Sequence, residues 1–145
     1  MEHISRSQAE TRAIAEKFLN TLNHRGKASV VALQGDLGAG KTSFAQAIGL
    51  HLGIKESMQS PTFVIMKVYK INFKNFKKLI HIDAYRLEKE KELLHLGWEE
   101  MIREPENLIL IEWPENVKGI IPSEAKLINL EFVDENTRKI EWNKE

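Results

Sequence analysis

The 145-residue chain carries 21 lysines and arginines against 21 aspartates and glutamates, so its formal net charge is zero and no global field recruits nucleic acid or an acidic membrane. It contains no cysteine, which excludes a disulfide scaffold, a zinc finger, an iron–sulfur site and thiol catalysis. A hydrophobic fraction of 42% and a charged fraction of 29% are typical of one globular domain, and we expect residues 1–145 to form it.

The first predicted element is a helix near residues 7–24. A serine followed three residues later by Glu or Gln is a capping box, and the chain offers two: Ser5 with Gln8 and Ser7 with Glu10. An apolar stripe at four-residue spacing follows, formed by Ile14, Phe18 and Leu22. Gly26 is expected to supply the left-handed residue that ends the helix.

A strand, a glycine-rich loop and a second helix come next. Residues 29–33 read Ser-Val-Val-Ala-Leu, a nearly continuous apolar run typical of a strand buried on both faces of a parallel sheet. After the glycines, apolar residues repeat at helical spacing over 41–52, and Gly53 closes the segment. This order predicts a β-strand–loop–helix unit.

The rest of the chain is richer in strands than in helices. Strand-like runs occupy 62–71, 78–83, 107–113, 125–132 and 137–142, with a hairpin connection over 72–77 and one helical stretch near 88–102 that Gly97 punctuates. We therefore predict an α/β fold, a P-loop NTPase-like mixed sheet flanked by helices. The sheet is expected to be parallel at the nucleotide site and antiparallel toward the other edge.

The glycine-rich loop matches the phosphate-binding pattern G-x-x-x-x-G-K-[ST], reading Gly35-Asp36-Leu37-Gly38-Ala39-Gly40-Lys41-Thr42. Gly38 and Gly40 let successive amides point at an anion at the positive end of the helix dipole. Lys41 supplies a cation for the β- and γ-phosphates, the Thr42 hydroxyl suits Mg²⁺, and Ser43 should touch the α-phosphate. The alternative is a plain glycine turn with an exposed lysine.

Two apolar strands end in an acid, Asp83 and Glu112, where open α/β sheets place their ligands. Either acid can serve as the carboxylate that ATP hydrolysis or phosphoryl transfer needs beside Mg²⁺, and their roles are interchangeable at this stage. The alternative for each is capping the next loop or pairing with Arg86. Trp113 follows Glu112 and places an aromatic face at the rim or in the core. His81 shares a strand face with Asp83 and is expected to be an ordinary semi-buried histidine.

Two further segments allow a functional and a structural interpretation. The run Ser60-Pro61-Thr62-Phe63 can close over a γ-phosphate as a switch loop, or be a plain turn. The stretch from Lys67 to Lys78 holds five lysines among aromatic residues, which can track a nucleic-acid backbone. A solvated hairpin is the favoured interpretation, because edge strands use lysine to prevent pairing.

Taken in order and at these intervals, four motifs resemble the bacterial TsaE (YjeE) family of small ATPases over about residues 5–140: the phosphate loop, Ser60-Pro61-Thr62-Phe63, Asp83-Ala84-Tyr85-Arg86-Leu87 and Glu112-Trp113-Pro114-Glu115. The resemblance implies ATP-dependent participation in forming threonylcarbamoyladenosine in tRNA, through the partner proteins TsaD and TsaB. The amino end lacks the order of a secretory signal and the apolar runs are too short for a bilayer span, so we expect a cytoplasmic location.

The resemblance also assigns residues. It implies that ATP or ADP is contacted by Gly38, Ala39, Gly40, Lys41, Thr42 and Ser43, that Mg²⁺ is held by Thr42 and Glu112, and that Asp83 is the catalytic aspartate. Lys41 is the second catalytic candidate, because its charge can neutralise the charge that develops on the phosphate. Trp113 would border the nucleotide, and Arg138 corresponds to an arginine near it, with a further contact around Gln8. The leading hypothesis is a slow ATPase activated by its partners. The alternatives are a small-molecule kinase and a non-hydrolysing, ATP-gated assembly module.

Overall fold

The computed structural model describes residues 1–23, 26–36, 38–55, 58 and 65–143. Its strands are β1 (Glu2–Ser5), β2 (Ser29–Gln34), β3 (Met66–Phe73), β4 (Phe76–Asp83), β5 (Asn107–Glu112), β6 (Lys126–Asp134) and β7 (Thr137–Trp142). Its helices are α1 (Gln8–Asn20), α2 (Lys41–His51), α3 (Glu90–Leu94) and α4 (Trp98–Arg103), with a 3₁₀ helix over Pro114–Ile120.

All strands of the described residues join one seven-stranded sheet in the order β1-β7-β6-β2-β5-β4-β3. The four central strands, β6, β2, β5 and β4, are mutually parallel. Outside them, β3 pairs antiparallel with β4, and β7 with both β6 and β1. The predicted α/β fold with a mixed sheet is confirmed. The expectation of antiparallel pairing toward a single edge is wrong, because a hairpin closes the sheet on each side.

The central strands are buried because helices cover the sheet on both faces. The side chains of α1 and α2 pack with the side of the sheet that carries Val31 and Leu33. The helices α3 and α4 and the 3₁₀ helix pack on the opposite side, with Val30 and Ala32. Alternate residues of β2 therefore enter different cores, which explains why its sequence is apolar without alternation.

Of the two predicted capping boxes, the one formed by Ser7 and Glu10 begins α1. The Ser7 hydroxyl accepts a hydrogen bond from the Glu10 amide at 3.1 Å, and the Glu10 carboxylate accepts one from the Arg6 amide at 2.6 Å. This arrangement satisfies amides that the first helical turn leaves without partners. The residues just before it form the edge strand β1, which the sequence does not predict because four residues are too few to show a period.

The predicted end of the first helix is wrong. The helix stops at Asn20, because the hydroxyl and amide of Thr21 both donate to the Phe18 carbonyl, at 2.6 and 2.9 Å. Gly26 therefore plays no part in ending it. The single helix predicted near 88–102 is likewise two short helices, since Gly97 adopts a left-handed φ of 90° between them.

The predicted hairpin after β3 is confirmed and is tight. Lys74 and Asn75 have φ values of 47° and 72°, as a two-residue turn between antiparallel strands requires. The Lys74 ammonium donates to the carbonyls of Asn20 and Leu22, each at 2.9 Å. Lys74, one of the five lysines of the 67–78 stretch, therefore binds carbonyls at the C-terminal end of α1, which is a structural role.

Among the described residues, no helix has both the length and the apolar character that crossing a membrane requires.

Candidate active site

The sheet topology brings the predicted site segments to one edge. β2, β5 and β4 are adjacent and parallel, with Leu33 opposite Glu112 and Glu112 opposite Asp83. Neighbouring strands lie about 4.8 Å apart, so the loop that follows β2 starts beside Glu112. Glu112 is thus on the strand next to the phosphate loop, whereas Asp83 is one strand further away.

The described part of the phosphate loop wraps toward the start of α2. The Ala39 amide donates to the Asp36 carbonyl at 3.0 Å, and the Phe44 amide donates to the Gly40 carbonyl at 2.9 Å. Gly38 and Gly40 have φ values of 83° and 100°. The side chain of Ala39 is buried in the core, so only its backbone is offered to a ligand.

The first residues of α2 present exposed polar side chains at the end of this loop. Thr42 and Ser43 are both exposed. The Thr42 hydroxyl and the Glu112 carboxylate are hard oxygen donors of the kind that Mg²⁺ prefers, together with water and phosphate oxygens. The side chains present therefore fit a nucleotide-bound magnesium ion. The Ser60-Pro61-Thr62-Phe63 segment lies outside the described residues.

The Lys41 side chain is buried and held by two groups of the chain itself. Its Nζ donates to the Gly35 carbonyl and lies 3.4 Å from the centroid of the Trp113 ring. Burial lowers the pKa of Lys41, and the nearby acids, Glu112, Glu115, Asp83 and Asp36, partly oppose this by favouring its charged form. The sequence predicts the position of this cation, but not that an aromatic ring covers it.

Trp113 lies at the rim of the site in a strained backbone conformation. Its φ of 60° and ψ of 49° are left-handed, which is rare for a bulky residue. Its ring contacts Tyr85 at a centroid distance of 5.0 Å, in addition to Lys41. The side chain is half-buried and also packs against the second core. Both interpretations of Trp113, at the rim and in the core, describe part of its surroundings.

Both strand-terminal acids are buried and hydrogen-bonded. Asp83 accepts from the Tyr85 amide at 2.9 Å, so it caps the following turn as well as facing the site edge. Glu112 Oε2 lies 2.7 Å from His81 Nε2. The structure thus corrects the interpretation of His81 as an ordinary semi-buried residue. The available signal was its position two residues before Asp83, which puts both on one face of β4.

A second set of residues borders the phosphate loop from the opposite side. A cleft of about 290 Å³ is lined by Gly40, Ser43, Gln8 and Arg138, among others. A methyl group built on Gly40 would lie 3.5 Å from the Arg138 side chain. Arg138 is held in place because its Nη1 donates to the Asp134 carbonyl at 2.6 Å. Gln8 and Arg138, which the sequence alone does not bring together, therefore line the same cleft beside the phosphate loop.

Comparison with known proteins identifies the family. Residues 5–140 match the family model described as "Threonylcarbamoyl adenosine biosynthesis protein TsaE". A tRNA threonylcarbamoyladenosine biosynthesis protein TsaE from Rickettsia typhi is 38% identical over 144 residues, which cover 99% of this chain and 94% of the relative. The one from Haemophilus influenzae is 36% identical over 118 residues, 81% of this chain and 72% of the relative.

A solved structure agrees with the fold. The structure titled "Crystal structure of Bacillus subtilus YdiB" superposes with a TM-score of 0.74 at 29% sequence identity. The superposition covers 98% of this chain and 83% of the other. The P-loop NTPase-like fold expected from the sequence is confirmed by this likeness.

Proposed function

This chain belongs to the TsaE family of tRNA threonylcarbamoyladenosine biosynthesis, and on that premise we propose that it is a magnesium-dependent ATPase that serves this pathway through a TsaD–TsaB complex. One observation carries the proposal: a phosphate loop with a buried lysine begins beside the buried Glu112, with the buried Asp83 one strand further away, at one edge of the parallel strands. That edge is where α/β folds bind nucleotides. Contact with tRNA would be indirect, through the complex.

The backbone of residues 38–43 would bind the phosphates of ATP or ADP, because the N–H groups at the start of α2 lack helical partners. The Lys41 ammonium would exchange the Gly35 carbonyl and the Trp113 ring for phosphate oxygens. Arg138 and Trp113 would border the nucleotide from opposite sides, as their contacts with Gly40 and Lys41 suggest.

Thr42 and Glu112 would hold Mg²⁺, which supplies charge neutralisation on the phosphate oxygens when bound. Glu112 is favoured over Asp83 for this role because its strand neighbours the one that leads into the phosphate loop. Asp83, held by the Tyr85 amide, would orient the attacking water. Lys41 would offset the charge that develops on the transferred phosphoryl group.

The test is phosphate release, measured with and without TsaD–TsaB, for the wild type and four variants. Lys41→Ala should weaken ATP binding about 10- to 150-fold, since a charge-assisted hydrogen bond contributes about 1.5–3 kcal/mol. Asp83→Asn should keep ATP affinity and lower turnover by about 100-fold or more. Glu112→Gln should raise the Mg²⁺ requirement, and the control Glu16→Gln, an exposed acid on α1, should match the wild type.

Three results would contradict the proposal. If the addition of TsaD–TsaB leaves the rate of phosphate release unchanged, the proposed activation by partner proteins is contradicted. Phosphate that appears on a small-molecule acceptor faster than in water would indicate a kinase. The Asp83→Asn and Glu112→Gln variants can also be expressed in cells that lack the wild-type protein. If both variants fully restore tRNA modification there, the protein is an assembly module that binds ATP without hydrolysing it.

A further inference from the structure

We propose that His81 is a positioning residue for the metal site: its Nε2–H holds one carboxylate oxygen of Glu112 and leaves the other, Oε1, for the divalent ion. This inference rests on the proposed function, because it gives Glu112 the metal-binding role. His81 itself touches neither nucleotide nor metal in this account. It acts only through the orientation of Glu112.

The contact is well defined and fully buried. His81 Nε2 and Glu112 Oε2 are 2.7 Å apart, and their side chains are 0% and 3% exposed. The two residues come from adjacent parallel strands, with Leu110 directly opposite His81 and Glu112 two residues further along β5. A carboxylate that binds a divalent ion can only accept hydrogen bonds, so the proposed role makes the ring nitrogen the donor. The Glu112 carboxylate thereby loses the freedom to rotate about its last bond.

The surroundings of His81 argue against a role in packing alone. On this face of the sheet, Leu79 on its own strand and Leu108 and Leu110 on the next are apolar neighbours. The charged residues of the same face are Asp83 and Glu112 at the strand ends and Lys67, opposite His81 on β3. The second ring nitrogen, Nδ1, is buried and has no hydrogen-bond partner within the part of the chain that the structure describes. A buried polar atom without a partner costs free energy, so an apolar side chain would suit this position better for stability. The bond to Glu112 is what distinguishes histidine here.

Some residues do not touch a metal ion but hydrogen-bond to a side chain that does. Mutation of such a residue typically lowers metal affinity or activity by about 10- to 100-fold. The effect arises because an ion binds a carboxylate more tightly when its orientation is already restricted before binding. Loss of the His81 donor should therefore weaken divalent-ion binding selectively. The affinity for nucleotide without metal should stay the same, since His81 does not reach the phosphate loop in any described contact.

The experiment measures binding rather than turnover. Mn²⁺ affinity is followed by electron paramagnetic resonance in the presence of saturating ADP, ADP affinity by calorimetry in EDTA, and stability by thermal denaturation. His81→Phe fills the space without a donor, and His81→Gln keeps an amide donor. Leu110→Val is the matched control, because it removes a methylene from the residue opposite His81 and leaves the hydrogen bond in place.

His81→Phe should weaken Mn²⁺ binding about 10- to 100-fold while ADP affinity in EDTA changes less than about threefold. His81→Gln should recover most of the Mn²⁺ affinity, and Leu110→Val should lower thermal stability without affecting Mn²⁺. If His81→Phe does not fold, His81→Leu takes its place with the same expectation.

Unchanged Mn²⁺ affinity in the donor-less variant would overturn the role of His81, and so would an equal loss of Mn²⁺ affinity in Leu110→Val. A wild-type protein that binds no ADP in either condition would instead overturn the proposed function, and with it the metal role of Glu112. The two failures are therefore distinguishable.

Discussion

Gly38 and Gly97 provide a matched pair for testing the phosphate loop. Their φ values are 83° and 90°, and a methyl group built on either meets no atom of the described residues within 4 Å, apart from those of its chain neighbours. Gly38→Ala and Gly97→Ala should therefore cost the same backbone strain, about 1–2 kcal/mol for a left-handed L-residue, and no steric clash. Only Gly38 belongs to the proposed nucleotide site.

The strain can be converted into a change in melting temperature. An unfolding entropy of about 2.1 cal/mol/K per residue gives about 0.3 kcal/mol/K for a chain of 145 residues. Each substitution should then lower the melting temperature by roughly 3–7 °C. Gly26→Ala is the control, because its methyl group likewise meets none of the described residues beyond its chain neighbours and its φ is not left-handed.

Nucleotide binding should separate the two variants. The methyl group of Gly38→Ala would occupy the open space of the phosphate loop and displace the ligand from at least one amide. A charge-assisted hydrogen bond contributes about 1.5–3 kcal/mol, so the ADP dissociation constant should rise about 10- to 150-fold. Calorimetric titration of ADP with Mg²⁺ measures this directly. Wild-type affinity in Gly38→Ala, or an equal loss in Gly97→Ala, would refute the reasoning.

Two further predictions concern the tryptophan at the rim and a histidine at the edge of the sheet. Nucleotide binding should change tryptophan fluorescence, because Lys41 leaves the Trp113 ring. The change should vanish in Trp113→Phe but persist in Trp98→Phe, because the Trp98 ring is buried elsewhere. A change that survives in Trp113→Phe would contradict the movement of Lys41 from the ring to the phosphates. Burial first, then the charges of Lys17 and the amino terminus, lower the pKa of His3 from its usual 6.5, so the unfolded chain binds more protons below that pH. The stabilising effect of the neutral ring is present above pH 6.5 and is lost as the pH falls below it. In chemical denaturation from about pH 7.5 to 5, the wild type should lose more stability than His3→Phe, which keeps the stacking on Trp142, and parallel curves would exclude the effect.

Much of the site was predictable from local sequence. The phosphate loop follows from a buried strand, fixed glycine spacing and a helix start, because each of these is a property of a short segment. Asp83 and Glu112 follow from apolar strands that end in an acid. The burial of β2 on both faces also follows from its sequence, because an uninterrupted apolar run is typical of a strand covered on both sides.

Element boundaries were less predictable where a weak local signal competes with a neighbouring group. Gly26 was expected to end α1, but the helix stops at Asn20, where the hydroxyl and the amide of Thr21 both donate to the Phe18 carbonyl. Leu22 continues the apolar four-residue spacing beyond that point, so the spacing alone indicated a longer helix. The sequence places Gly97 inside the predicted helical stretch, but it does not show that this residue adopts a left-handed φ of 90° and separates α3 from α4.

By itself, the sequence determined the fold class, the phosphate loop and the two candidate acids, because strand burial and loop chemistry are encoded within a few neighbouring residues. Only the tertiary structure decided that Glu112 lies beside the phosphate loop, that His81 holds its carboxylate and that Arg138 reaches Gly40. These contacts join residues from 31 to about 100 positions apart, and they depend on the order of strands in the sheet. No local pattern specifies that order, since it results from how all the strands and helices bury their apolar faces together.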